Sequence, residues 1–242
     1  MINKVRARMQ IFYSTDITDN ICRLDRNESK HCIKVLRLGT GSRVKIVDGQ
    51  GNLYEGLISN PDAQGCQITV TNIIHNFESK DYKLHIAISP LKNSERFEWF
   101  IEKSVEIGID EFTPLICRNT EKPGIRLNRI NNLITSAMKQ SLKAFRPLLH
   151  DPMQFSDFIS STQSGIRMIS TCGDTIRRSK IDAVYARNQD AVILIGPEGD
   201  FSQEEVDLAV SKGYKPVHLG RSRLRTETAG IAACHSVYFI NQ

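Results

Sequence analysis

The residues best placed for chemistry lie in two glycine-bearing loops near the end of the chain. The first is Gly196-Pro197-Glu198-Gly199-Asp200-Phe201-Ser202, between a continuously apolar run (191–195) and an S-x-x-E capping box formed by Ser202 and Glu205. Gly196 and Gly199 permit close backbone approach, and Pro197 stiffens the turn. A phosphate loop is the obvious competitor, but the Lys-Ser/Thr ending is absent and Glu198 and Asp200 would repel a phosphate. Two carboxylates suit a cationic ligand such as a sulfonium, and they equally suit a helix N-terminus with no ligand at all. The second loop runs from Leu219 through Gly220, Arg221, Arg223, Leu224, Arg225, Thr226, Glu227 and Thr228 to Ala229. Gly220 is placed for a turn, and Thr226 or Thr228 can cap the following helix. Arg225 and Glu227 either reach a ligand or pair with each other.

These loops need strands that end beside one another. From residue 83 onward, apolar runs at 84–89, 112–117, 166–171, 191–195 and 216–220 alternate with segments of helical periodicity. One helix carries Phe97, Phe100, Ile101 and Val105 and stops at Gly108. Another is read from Leu127 to Phe145, and the last covers 228–240, where His235 is expected in the core. The fully apolar 191–195 run fits a parallel strand buried on both faces, so the class is α/β. Loops at the carboxyl ends of such strands are where ligands bind. Residues 9–76 differ: short alternating segments bounded by Gly39, Gly41, Gly49, Gly51, Pro61 and Gly65 predict a small β-barrel with one short helix at about 28–36. The polar stretch 76–81 divides the chain into domains at 9–76 and 82–242. Residues 1–8 read as an extension ahead of a first strand opened by Met9.

Charge is distributed unevenly. The net charge is only +5, yet six basic residues and no acidic one lie between Lys122 and His150. Arg26, Lys30, Lys34 and Arg37, spaced 4, 4 and 3 apart, would line one side of a helix, and Arg221, Arg223 and Arg225 form a third cluster. Local positive charge of this kind favours a polyanionic partner. The six cysteines form no CxxC pair and the six histidines show no ligand spacing. The expectation is therefore no metal, no disulfide and a reducing cytoplasm. No run of apolar residues is long enough to span a membrane.

Together the loops resemble the RsmE family of ribosomal RNA uridine-N3 methyltransferases, in the SPOUT superfamily. The family signature is similar to Gly196-Pro197-Glu198-Gly199 with Phe201-Ser202, then Leu219-Gly220, then Leu224-Arg225-Thr226-Glu227-Thr228-Ala229. Upstream, Lys92, Trp99, the stretch Lys103 to Gly108, Pro114-Leu115, Arg118, Gln140-Ser141 and Pro147 also resemble it. Residues 31–38 and Asp48-Gly49-Gln50-Gly51 resemble its PUA-like RNA-binding domain. Asp200 and Lys143 depart from the pattern, standing where the family often has glycine and arginine.

The resemblance implies a C-terminal domain with a deep trefoil knot, bound S-adenosylmethionine, a homodimer, and 16S ribosomal RNA in the small subunit as substrate. It implies catalytic roles for Arg225, Glu198 and Glu227. Cofactor contacts are expected at Ile195, Gly196, Pro197, Gly199, Leu219, Gly220, Leu224, Thr226 and Ala229, and RNA contacts at Arg26, Lys30, Lys34, Arg37, Lys143 and Arg223. Two other readings stay open: a SPOUT enzyme with a different RNA target, and a non-catalytic RNA-binding protein of ribosome assembly.

Overall fold

The computed structural model describes residues 10–161, 164–173 and 176–242, and every structural statement below concerns these residues. The readings made for Met9 and for residues 1–8 lie outside them. The chain divides into two units, residues 10–79 with Met138–Arg146, and Lys80–Ala137 with Pro147–Gln242. The segment Met138–Arg146, which a division at the 76–81 linker leaves in the second domain, thus groups with the first unit.

In the first unit, β1 (Ile11–Tyr13), β2 (Ile17–Thr18), β3 (Ile21–Arg23), β4 (Arg43–Val47), β5 (Leu53–Asn60) and β6 (Gln67–Ile74) form one sheet in the order β1-β4-β5-β6-β3-β2. β1 runs parallel to β4 and the other pairs are antiparallel. No ladder joins β1 to β2 among the described residues, so the predicted barrel is a half-barrel whose apolar face holds Phe12, Val44, Ile46, Ile58 and Ile68. The expected helix begins earlier than read, as α1 (Arg26–Lys30) capped by Asp25, and passes into a π-helical turn at His31–Val35. Arg37 follows in the left-handed region, so the α-helical spacing argument does not extend to it. All four basic residues of this stripe are exposed, and His31 is exposed beside the Phe12 ring.

Asp48 shows why its motif has that composition. Its buried carboxylate accepts hydrogen bonds from the Gln50 and Asn52 backbone N–H groups, from Asn52 Nδ2 and from the Tyr54 hydroxyl. Gly49 and Gly51 both take positive φ. The long helix read from Leu127 to Phe145 ends sooner, as α3 (Leu127–Gln140), because Leu142 adopts φ 60. The chain then crosses the Asp48 turn: Gly51 N–H donates to Ala144 O, and Arg146 N–H to Gly49 O. Phe145 lies over Gly51 so closely that a Cβ there would stand 2.2 Å from its ring.

The second unit is built on an all-parallel sheet of β7 (Leu84–Ile88), β8 (Glu111–Ile116), β9 (Leu148–Leu149), β10 (Met153–Gln154), β11 (Ile166–Ser170), β12 (Ser179–Lys180), β13 (Ala191–Ile195) and β14 (Lys215–His218). Its order is β10-β8-β7-β13-β11-β14-β12, with β9 beside β8. Every residue of β13 is buried, as its uninterrupted apolar composition predicts. The helices are α2 (Ser94–Ile107), α4 (Phe155–Ser160), α5 (Gln203–Ser211) and α6 (Thr226–Ile240). α2 ends at Gly108 with φ 117, and α5 opens on the Ser202/Glu205 capping box.

α6 differs from expectation in two ways. It begins at Thr226 with Arg225 as its N-cap and no side-chain cap bond, so neither Thr226 nor Thr228 caps it. His235 is exposed and stacks on Phe239, with ring centroids 6.1 Å apart, instead of lying in the core. α6 is fixed against α2 and β7 at Gly230, where a Cβ would meet Phe100 Cε2 at 2.5 Å and Ile88 Cδ1 at 3.0 Å. Both neighbours are fully buried and have little room to move. Gly230→Ala is therefore expected to destabilise the fold by about 1–3 kcal/mol despite its better helix propensity. Urea unfolding checks this, and an unchanged or raised midpoint would contradict the close packing.

Candidate active site

The carboxyl ends of β11, β13 and β14 lie side by side, and the loops leaving them enclose a cleft of about 1050 Å³. This is the large end of the range for small-molecule sites. Of the residues expected to act on a ligand, the cleft gathers Ile195, Gly196, Pro197, Glu198, Leu219, Gly220, Arg223, Leu224, Arg225, Thr226, Glu227 and Ala229. Gly199 is not among the lining residues. It packs on Asn119, whose Cβ lies 3.4 Å from where a Gly199 Cβ would stand.

Three carboxylates shape the site in different ways. Asp200, at φ 62, is a residue type that tolerates the left-handed region where glycine is usual. Its Oδ2 accepts hydrogen bonds from Thr171 Oγ1 (3.0 Å) and the Cys172 N–H (2.7 Å), and its Oδ1 accepts from the Phe201 N–H (2.8 Å). Asp200 therefore fastens the loop after β13 to the loop after β11, which accounts for an acid at this point without any ligand. Glu198 is exposed, and its Oε1 accepts the Lys92 N–H at 3.1 Å. Glu227, in the first turn of α6, is buried with its Oε1 3.8 Å from Arg96 Nε. The expected alternative of an Arg225–Glu227 pair is not formed: Glu227 faces Arg96. The Arg225 guanidinium is exposed in the cleft and has no ion pair among the described residues.

The loop after β8 braces the site. Arg118 N–H donates to Glu205 Oε1, and Asn119 Nδ2 donates to Asp200 O. Glu204, beside them at the start of α5, has its carboxyl held below the usual range by its own backbone N–H, then by Ser202 and Arg118. Burial pushes the Cys117 thiol up, so it is an inert part of the packing.

Sequence reasoning missed Arg96, Arg178, His218 and the Thr171–Cys172–Gly173 loop, all of which line the cleft. The loop after β11 has the single Gly173 and no extended motif, but its place after an apolar run was the available signal. Arg96 stands in the first turn of α2, just beyond the carboxyl end of β7. The cleft has what a compact cation with a flat heterocycle needs: apolar surface from Ile195, Leu219, Leu224 and Ala229, loop backbone around Gly196 and Gly220, and the carboxylate of Glu198.

The remaining RNA-contact candidate, Lys143, is already engaged with Glu78 at 3.2 Å. The fold also brings together side chains whose spacing gave no hint of a metal site. His85, Glu111 and His150, dispersed in the sequence, have ligand atoms all within 4.8 Å of one another.

The RNA methyltransferase domain family matches residues 78–238, and the RNA methyltransferase PUA domain matches residues 24–71. A probable rRNA-methyltransferase of Porphyromonas gingivalis has a solved structure that superposes with a TM-score of 0.90 at 38% identity, covering 96% of this chain and 98% of that one. The ribosomal RNA small subunit methyltransferase E of Aquifex aeolicus is 25% identical over 230 residues, 93% of this chain and 96% of its own. The same enzyme of Neisseria gonorrhoeae, solved bound to S-adenosyl methionine, shares the fold with a TM-score of 0.87 at 22% identity, over 96% of this chain and 98% of that one. The architecture is that of the SPOUT RNA methyltransferases with an N-terminal PUA-like domain. With the match to the first family extending over most of its length, the chain belongs to the RNA methyltransferase family and carries that family's PUA domain ahead of the catalytic one.

Proposed function

We propose that this chain is an S-adenosylmethionine-dependent enzyme that methylates N3 of a uridine in 16S ribosomal RNA of the small subunit. The observation that carries this reading is the meeting of Arg225, Glu227 and the Gly196 and Gly220 loops in one cleft at adjacent strand ends. Support for the substrate comes from curated relatives named ribosomal RNA small subunit methyltransferase E. When bound, S-adenosylmethionine supplies an electrophilic methyl group on a sulfonium.

The chain's residues must do the rest. Uracil N3 is a weakly acidic imide nitrogen, a poor nucleophile until its proton leaves. Arg225, which lines the cleft and has no ion pair among the described residues, stabilises charge developing on the uracil carbonyl oxygens. Glu227 is buried in the same cleft and accepts or directs the N3 proton. Glu198 holds the first loop through the Lys92 N–H, and its carboxylate favours the cation. The late strands β13 and β14 fill places between earlier ones, β13 between β7 and β11 and β14 between β11 and β12, which supports the implied trefoil knot. Exposed aromatics on the packed pair α2 and α6, Trp99 and Phe239, the latter 70% accessible, support a homodimer. No helix among the described residues is long and apolar enough to cross a membrane, and six free cysteines favour the cytoplasm.

An N3 methyl blocks the Watson–Crick edge, so primer extension on 16S RNA tests the reaction directly. A reverse-transcription stop should appear in wild-type cells, vanish in cells lacking the gene and return when their small subunits are treated with the purified protein and S-adenosylmethionine. A stop that persists without the gene would refute the assignment.

Arg225→Ala should lower single-turnover methyl transfer by roughly 100-fold or more, the scale for removing one preorganised charge stabiliser. Affinity for S-adenosylmethionine, measured by calorimetry, should largely survive. Arg225→Lys should recover only part of the rate, because a point charge does not replace a planar fork. Loss of cofactor binding and thermal stability together, with a normal rate in the bound fraction, would make Arg225 structural.

The exposed stripe of Arg26, Lys30, Lys34 and Arg37 has no ion pair among the described residues and is the best phosphate-contacting surface of the first unit. Replacing two of these residues should flatten the slope of log K against log salt for RNA binding by roughly 1–2. An unchanged slope would return the stripe to ordinary solvated surface.

A further inference from the structure

The cofactor cleft lies at the carboxyl ends of the parallel strands. The opposite end of the same sheet carries a second cluster, assembled by strand register. His85 is the second residue of β7 and pairs across the ladder with Glu111, the first residue of β8. β9 lies on the other side of β8, pairing Glu111 with Leu148, and the next residue beyond it, His150, donates its N–H to Phe112 O. Two neighbouring strands and the residue leaving a third thus bring two imidazoles and a carboxylate together.

The side chains converge. Glu111 Oε2 lies 2.7 Å from His150 Nε2 and 3.9 Å from His85 Nδ1. The two imidazole centroids are 5.3 Å apart, and His85 also packs edge-on against Phe158 at 5.4 Å. His85 is only 12% accessible, whereas Glu111 and His150 are about one-third accessible, which leaves an approach from solvent. On its far side, His85 Nε2 lies 2.8 Å from Thr113 Oγ1.

We propose that His85 Nδ1, His150 Nε2 and the Glu111 carboxylate form a binding site for one divalent transition-metal ion, zinc being the best match, with a fourth position open to water. Two imidazole nitrogens and one carboxylate oxygen are a recurrent zinc donor set and poorly suit magnesium or calcium, which prefer oxygen ligands. Bonds of about 2.0–2.2 Å in a tetrahedron place neighbouring donor atoms roughly 3.3 Å apart. The observed 2.7 and 3.9 Å separations from Glu111 Oε2 lie on either side of that value, and all three ligand atoms lie within 4.8 Å of one another, so binding requires the rings and the carboxylate to draw together. When Thr113 accepts the Nε2–H of His85, the Nδ1 lone pair faces the Glu111 carboxylate with no proton between them, and a cation satisfies both. A hydrogen-bond acceptor on the non-ligating N–H is also how ligand histidines are oriented. The ion would clamp β7, β8 and the chain leaving β9 at the end of the sheet away from the cleft, so its effect is on stability and not on the methyl-transfer step.

The test uses the full-length protein without an affinity tag, stripped with a chelator. Titration with ZnCl2 by calorimetry should show one equivalent per chain. Co2+ should give the visible absorption of a low-coordinate site, and Zn2+ should raise the melting temperature while Mg2+ does neither. His150→Ala, on the accessible side, should keep its fold and lose the site. Thr113→Val, nearly isosteric, should weaken zinc by about 10–100-fold. Cys172→Ser should leave zinc binding unchanged, since the exposed thiol lines the cleft and is not one of the three donors. Equal zinc binding by wild type and His150→Ala, binding lost in Cys172→Ser, or stoichiometry well below one would each overturn the proposal.

Discussion

The site depends on β13 being completely buried between β7 and β11. Only a strand apolar on both faces can occupy that position in a parallel sheet, and it must enter between strands that precede it in the chain. Once it does, its carboxyl end opens beside those of β11 and β7. β14, inserted beyond β11, then brings the Gly220 loop to the same edge. Parallel direction makes these loops neighbours, and the apolar run at 191–195 makes the arrangement stable. A polar substitution there would leave an unpaired group in the middle of the sheet.

Carboxylates then set the shape of the loops. Asp200, Glu205 and Glu198 each accept backbone N–H groups from another segment: Cys172, Arg118 and Lys92 respectively. Each of these bonds joins residues far apart in sequence, and each satisfies a donor that a loop would otherwise leave to solvent. Both acids of the first loop, Glu198 and Asp200, therefore have a structural partner, as does Glu205 in the helix that follows. Glu227 is different. It is buried in a helix's first turn, where the dipole favours an anion, and its nearest cation belongs to α2.

The sequence discloses what depends on short-range pattern. The strand at 191–195, the stop at Gly108 and the capping box at Ser202 follow from periodicity and terminal chemistry, and the structure reproduces them. Most of the expected cleft residues were accessible to the same reasoning because they sit in two contiguous loops. What escaped was long-range or conformationally special. The π-turn after Lys30 and the left-handed Leu142 each break a helix whose apolar spacing continues past the break. His235 reads as core because α6 is apolar on most sides, yet its own side faces solvent. Arg96 and Arg178 reach the cleft from elements with no local signature. His85, Glu111 and His150 meet only through strand register, which no spacing in the chain displays.

Charge gives the last constraint on how RNA is held. The basic run between Lys122 and His150 looks like one patch in sequence, but the fold commits at least half of it. Arg129 makes two bonds to Glu98, Lys139 pairs with Glu28, and Lys143 pairs with Glu78. Whatever each pair contributes to stability, a phosphate must compete with a carboxylate for each of these cations. Arg26, Lys30, Lys34 and Arg37 carry no such competitor among the described residues, and neither do Arg221 and Arg223 at the rim of the cleft. Unpaired cations bring the full counterion-release effect to binding, whereas paired ones bring only the difference between two partners. The productive RNA contacts should therefore concentrate on the N-terminal stripe and on the arginine loop beside Arg225, more than on the central basic run.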